Sequence, residues 1–246
     1  MAATLFGVTG SHPSYAAELM LRGKGVAYER KDLPLYFHRG LLRVLRFRGA
    51  TVPALRLEDG RRVQTTRRIA RALDAMRPDP PLVPADPARR ARVEEIESWA
   101  DGEFQQLARR MSYWALRRDA AAVDTYLEGT PLILPRLLVR PAAPLIIRIL
   151  AHDHDSTDAA IRQDLADLPR MLDRVDGWIA EGVLGGDPPN VADFQVATTL
   201  ALLRTQDALR PAIDARPAGE LAQRVAPGYG GRIADVYPAE WLAGLR

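Results

Sequence analysis

The 246-residue chain contains no cysteine. That excludes disulfides, thiolate metal ligands and any cysteine nucleophile supplied by the protein itself. Lysine is nearly missing too. Of 34 basic residues only Lys24 and Lys31 are lysine, and the rest are arginine. The arginines are scattered among 31 acidic residues, and the net charge is only +3. A nucleic-acid footprint needs a clustered basic face with aromatic platforms, so no nucleic-acid partner is expected. Long hydrophobic runs are also lacking. The nearest, 131–150, is broken by Pro135, Pro141 and Pro144 and carries Arg136, Arg140 and Arg148, so no membrane span is expected. Ala2 to Val8 is too short for a signal-peptide core and lacks a basic start. Together with the absent cysteines this points to the cytoplasm. With 47% hydrophobic residues the chain can bury a sizeable core in one or two domains.

The pattern changes near residue 78. Before it, strands and helices alternate. Residues 3–8 (ATLFGV) read as a buried strand, and 14–25 as a helix with Pro13 at its entrance and Gly23 and Gly25 at its exit. Residues 26–33 alternate as a second strand, and 39–47 carry apolar residues at helical spacing. Residues 52–64 read as a hairpin turning at Asp59-Gly60, and 65–76 as a threonine-capped helix with Ile69, Ala72, Leu73 and Met76 on one face. The order is βαβαββα. Pro53 opens the third strand, either as a strand-edge residue or after a cis bond.

Residues 77–89 hold five prolines in thirteen positions and read as a linker. Long helical patterns follow over 88–118, 156–182 and 190–209, with no convincing strand. The expected fold class is therefore α/β plus all-α. An N-terminal domain spans 1–78, a linker 79–88 and a helical domain 89–246. In the sequence NVAD, Asn190 and Asp193 have the spacing of a capping box, a structural device.

Two readings stand for Ser11 in VTGSHPSYAAEL (8–19): a cap for the helix that Pro13 opens, or a working hydroxyl at that helix start. The stretch AHDHDSTD (151–158) could ligate a metal, but a loop ending in a helix cap explains it as well, and no metal site is expected.

Four elements in this order resemble the cytosolic glutathione S-transferases. SHPS (11–14) resembles the S-x-P-S turn of the serine-type theta and delta classes. TVPAL (51–55) resembles a V-P-x-L element whose proline is cis. DGRRVQTTRRIARAL (59–73) resembles the family's D-G-x-x-L-x-[EQ]-S-x-x-I, and LGGDPPNVADFQVA (184–197) its L-G-G-D-x-P-S-x-A-D-F. The resemblance implies a thioredoxin-like N-terminal domain and a helical-bundle C-terminal domain.

It also implies a transferase with glutathione as cosubstrate, no bound cofactor, and a small hydrophobic electrophile as second substrate. Ser11 would donate to the glutathione thiolate, with Thr9 and Ser14 as alternatives. The backbone of Val52, next to Pro53, would pair with the cysteinyl part. Thr65 and Thr66 stand where the family holds the γ-glutamyl end, and His38 lies near the glycyl carboxylate. Thr65 and Thr51 depart from the family's Glu/Gln and Lys. That leaves open a binding protein without catalysis, or a transferase of another low-molecular-weight thiol. The electrophile would sit between the domains against the first long helix, where Phe104, Met111 and Trp114 recur; most residues of such a stripe are core, and one or two could line the pocket. A homodimer through the first domain and that helix is implied as well.

Overall fold

The computed structural model describes residues 2–35, 37–128 and 140–245. Part of the proline-broken run 131–150 thus lies outside the described residues. Strand β1 (Ala3–Gly7) is followed by α1 (His12–Gly23), β2 (Tyr28–Asp32), α2 (His38–Val44), β3 (Ala54–Arg56), β4 (Arg62–Gln64) and α3 (Thr66–Met76). The sheet order is β2-β1-β3-β4. β1 runs parallel to β2 and antiparallel to β3, and β4 closes the hairpin. All five residues of β1 are buried, as a central apolar strand requires. At Gly7 an added Cβ would lie 2.8 Å from an Asp32 carboxylate oxygen and 3.1 Å from the Ser14 Cβ. Glycine there lets β1 run close beside both.

The proline-rich stretch is pinned rather than loose. The Asp74 carboxylate accepts the backbone N–H groups of Leu82 and Val83, both at 2.9 Å, and the Lys24 ammonium at 2.6 Å. Helix α4 (Pro87–Trp99) then begins behind an Asp86 cap. The pattern that reads as one helix over 88–118 is two. A π-helical turn (Ala100–Phe104) separates α4 from α5 (Gln105–Arg118). The apolar stripe from Val93 to Trp114 is buried throughout. The remaining helices are α6 (Val123–Leu127), α7 (Ala143–Asp153), α8 (Asp158–Ala180), α9 (Val191–Arg204), α10 (Arg210–Asp214) and α11 (Pro217–Val225). No helix among the described residues is long and apolar enough to cross a membrane.

Helix α9 is buried over almost its whole length, and its start carries the capping box. The Asn190 side chain accepts the Asp193 N–H, and the Asp193 carboxylate accepts those of Asn190 at 2.8 Å and Gly185 at 2.7 Å. One apolar core runs through α1, α3, α4, α5, α8 and α9, so the sheet unit and the helices share an interior. A smaller cluster, with Phe6, Leu33, Leu42 and Phe47, seats α2 on the sheet.

Candidate functional site

A cavity of about 340 Å³ opens between the sheet unit and the helices. Its floor is the turn between β1 and α1, from Val8 to Pro13. Ser11 sits there as the N-cap of α1. Its oxygen accepts the Ser14 N–H at 3.3 Å and the Ser14 O–H at 2.9 Å. A hydroxyl has two lone pairs and one proton. With both lone pairs occupied by Ser14, the Ser11 O–H retains its proton for a partner in the cavity. The cap reading of Ser11 is thus seen in the structure, and its proton has no partner among the described residues. The N-terminal end of α1 adds a partial positive charge at the same point. Ser14 is fully buried and does not line the cavity; Thr9 does, with its hydroxyl buried and unpartnered.

Thr51 and Val52 form one rim, and the Val52–Pro53 bond is cis. Pro53 uses its carbonyl to accept the Thr65 N–H at 3.1 Å. No residue among those described pairs with the Val52 N–H or C=O. Such an edge is a free strand segment, able to take an extended peptide through main-chain hydrogen bonds. The segment leading to it is held by Gln64, whose amide bonds Gly49 N–H at 2.6 Å, Gly49 C=O at 3.0 Å and Thr51 C=O at 3.1 Å. Gln64 does not line the cavity; its side chain braces the rim.

Thr65 and Thr66 do not line the cavity. Thr66 is buried. Thr65 is exposed and caps α3, its oxygen accepting the Arg68 N–H at 3.4 Å. Thr65 sits at φ +72°, a left-handed value that costs a β-branched residue energy and tends to occur at functional sites. His38 starts α2, lines the cavity, and keeps its Nδ1 buried without a partner.

The helical wall corrects one expectation. Phe104, Met111 and Trp114 are fully buried core residues and none reaches the cavity. The opposite side of α5 does, through Arg109, Ser112, Tyr113 and Leu116. Their spacing of three, four and seven residues was a readable helical signal. It was masked because a polar stripe usually faces solvent. His154, at the end of α7, and His12, at the start of α1, also line the cavity. The His154 ring lies 5.1 Å from the Tyr113 ring, while His152 in the same His-Asp stretch is exposed.

Burial, aided by neighbouring arginines, lowers the pKa of His12, His38 and His154, so all three imidazoles are neutral near pH 7. Burial raises the Tyr113 phenol, which keeps its proton. The only carboxylate among the described lining residues, Asp32, is held by Arg30 through two bonds of 2.9 and 3.0 Å. Among the polar groups of this largely apolar cavity, hydrogen-bond donors and positive charge therefore outweigh negative charge.

No protein-family model matches the sequence, and a search of curated proteins returns no relative. Solved structures do match. A glutathione S-transferase from Rhodospirillum rubrum F11 superposes with a TM-score of 0.62 at 18% identity, over 98% of each chain. The fold is glutathione-transferase-like. A GST-like protein from Pseudomonas syringae gives 0.61 at 21% identity, covering 95% of this chain and 69% of the other. A glutathione transferase homologue from Sulfitobacter, with bound glutathione, gives 0.51 at 17%, over 93% and 94%. The mixed four-stranded sheet is thus the thioredoxin-like half of that fold, and the helices its second half.

Proposed function

We propose that the protein binds glutathione and conjugates it, through its thiol, to a hydrophobic electrophile. The observation that carries this reading is the pairing of an undonated Ser11 proton with the unpaired backbone edge of Val52 on one cavity. Glutathione would lie along Thr51 and Val52, its cysteinyl N–H and C=O completing the edge as one more strand. That placement brings its sulfur to the Ser11 turn. A free thiol ionises near pH 8.5, and a donated hydrogen bond at a helix N-terminus favours the anion. The thiolate then attacks an electrophilic carbon held against the helical wall. Because the chain has no cysteine, the sulfur comes from the cosubstrate.

In this reading His38 approaches the glycyl carboxylate. Thr65 and Thr66 bring the amides at the start of α3 towards the γ-glutamyl end. The same reading makes the protein a cytoplasmic homodimer. Thr65 and Thr51 are too short to reproduce the family's Gln/Glu and Lys, which favours a second reading: a binding protein, or a transferase of a different small thiol.

The test is retention on immobilised glutathione followed by turnover of 1-chloro-2,4-dinitrobenzene. Ser11→Ala is expected to cut kcat/KM by about tenfold or more, the cost of one hydrogen bond to a charged group. Unchanged turnover in Ser11→Ala would refute the role given to that hydroxyl. No retention at millimolar glutathione would favour the second reading.

A further inference from the structure

Arg109 is half-buried, lines the cavity, and has no carboxylate within ion-pair distance among the described residues. Its one hydrogen bond among them goes to the Gln105 side-chain oxygen at 2.8 Å. Gln105 in turn donates to the Asp101 carboxylate at 3.0 Å. This row begins on the π-helical turn and climbs one face of α5, so the turn sets where the guanidinium points. A π turn inside a helix is frequently part of a functional site. An arginine stays protonated even when buried, and a buried charge without a direct counter-ion is costly. Tyr113 stands one turn further on α5 with a phenol proton that bonds no described residue. Around this pair the wall is apolar: Leu116 on α5, and Ile146, Ile147 and Leu150 on α7, which packs against α5.

We infer that this chamber takes an anionic amphiphile: an electrophile whose carboxylate is held by Arg109 and Tyr113 and whose apolar body rests on α7. The glutathione edge at Thr51 and Val52 belongs to the sheet side, whereas Arg109 projects from the helical wall. The carboxylate is therefore one carried by the second substrate. The transfer step rests on the glutathione reading above; the binding of the anion does not. With 4-chloro-3-nitrobenzoate, the thiolate forms a C–S bond at the chlorine-bearing ring carbon. The C–Cl bond breaks, chloride leaves with the bonding pair, and the thiol proton has passed to water.

The experiment compares this acid with its methyl ester, first by calorimetry without glutathione, then by turnover with it. The acid is expected to bind the unmodified protein about tenfold or more tightly than the ester, as hydrogen bonds to charged groups imply. Arg109→Met removes that preference and leaves ester binding intact; Arg109→Lys restores part of it. Arg39→Ala, which removes the exposed arginine at the other rim, leaves the preference in place. Equal binding of acid and ester overturns the inference, and so does a preference lost in Arg39→Ala. The comparison on unmodified protein decides even where Arg109→Met fails to fold. A preference for the acid without any turnover keeps the anion site and rejects the glutathione reading. Turnover of both probes without a preference does the reverse. Arg109→Met that abolishes glutathione retention but keeps the acid preference also overturns the inference, because the guanidinium then serves the peptide.

Discussion

Single atoms decide what this cavity offers. Ser11 caps α1 with its oxygen turned to Ser14, and its own proton bonds no described residue. Three neutral histidines line the same cavity, and they give the molecule an acid-sensitive balance. In the native state His12, His38 and His154 are held below their ordinary value, chiefly by burial. The unfolded chain takes up protons near pH 6.5, where the native state refuses them. Stability is therefore full above about pH 6.5 and falls as the pH drops below it. Asp193, whose carboxyl burial pushes up to about 6, acts in the opposite sense over the pH range below that value. The informative measurement is the difference in slope. Urea unfolding at pH 7.5 and pH 5.5 is expected to show a smaller acid loss in His12→Asn than in the parent. At this scale the sequence was half legible. Ser11 and Val52 were marked by the turn chemistry around Pro13 and Pro53, which is local. Arg109 and Tyr113 were not, because the face of α5 that meets a cavity depends on what buries the other face.

Among the elements, the order of strands and helices through α5, and the long helices α8 and α9, could be read directly from periodicity and from glycine and proline punctuation; α6 and α7 could not. The π turn could not, since Val93 to Trp114 keep a helical repeat across it. The short helices α10 and α11 also escaped notice, being too short to show a repeat. Their packing is unusually tight. A Cβ added at Gly219 would lie 2.4 Å from the Ile213 carbonyl oxygen and 2.7 Å from the Asp214 Cα. Both are backbone atoms and cannot step aside as a side-chain tip can. Gly219→Ala is expected to destabilise the fold by about 1–3 kcal/mol, the usual cost of overpacking. Chemical denaturation checks this, and an unchanged midpoint would mean that α10 shifts freely.

Across the whole molecule, the segment after α11 returns to the first turn. The Tyr229 hydroxyl donates to the Gly10 carbonyl at 2.5 Å, Tyr15 donates to the Pro227 carbonyl, and the Tyr15 and Tyr229 rings lie 5.6 Å apart. Gly231 lies against Tyr126, with no room for a Cβ, and Tyr126 itself lines the cavity. None of this was legible in the sequence, where contacts across more than two hundred residues leave no local trace. Tyr229→Phe keeps the ring and loses one hydrogen bond, a change of about 1 kcal/mol in stability. Its larger effect is expected on thiol retention, measured beside the melting temperature, because the freed Gly10 carbonyl loosens the turn that aims Ser11. Loss of stability with unaltered retention would show that the turn holds itself.

That brace has a consequence for how the protein is made. Gly10 and Tyr229 are separated by 219 positions, so the serine turn leaves the ribosome long before the tyrosine that secures it. The sheet can form early from its own residues. The finished cavity cannot, because the bond that braces its floor waits for Tyr229.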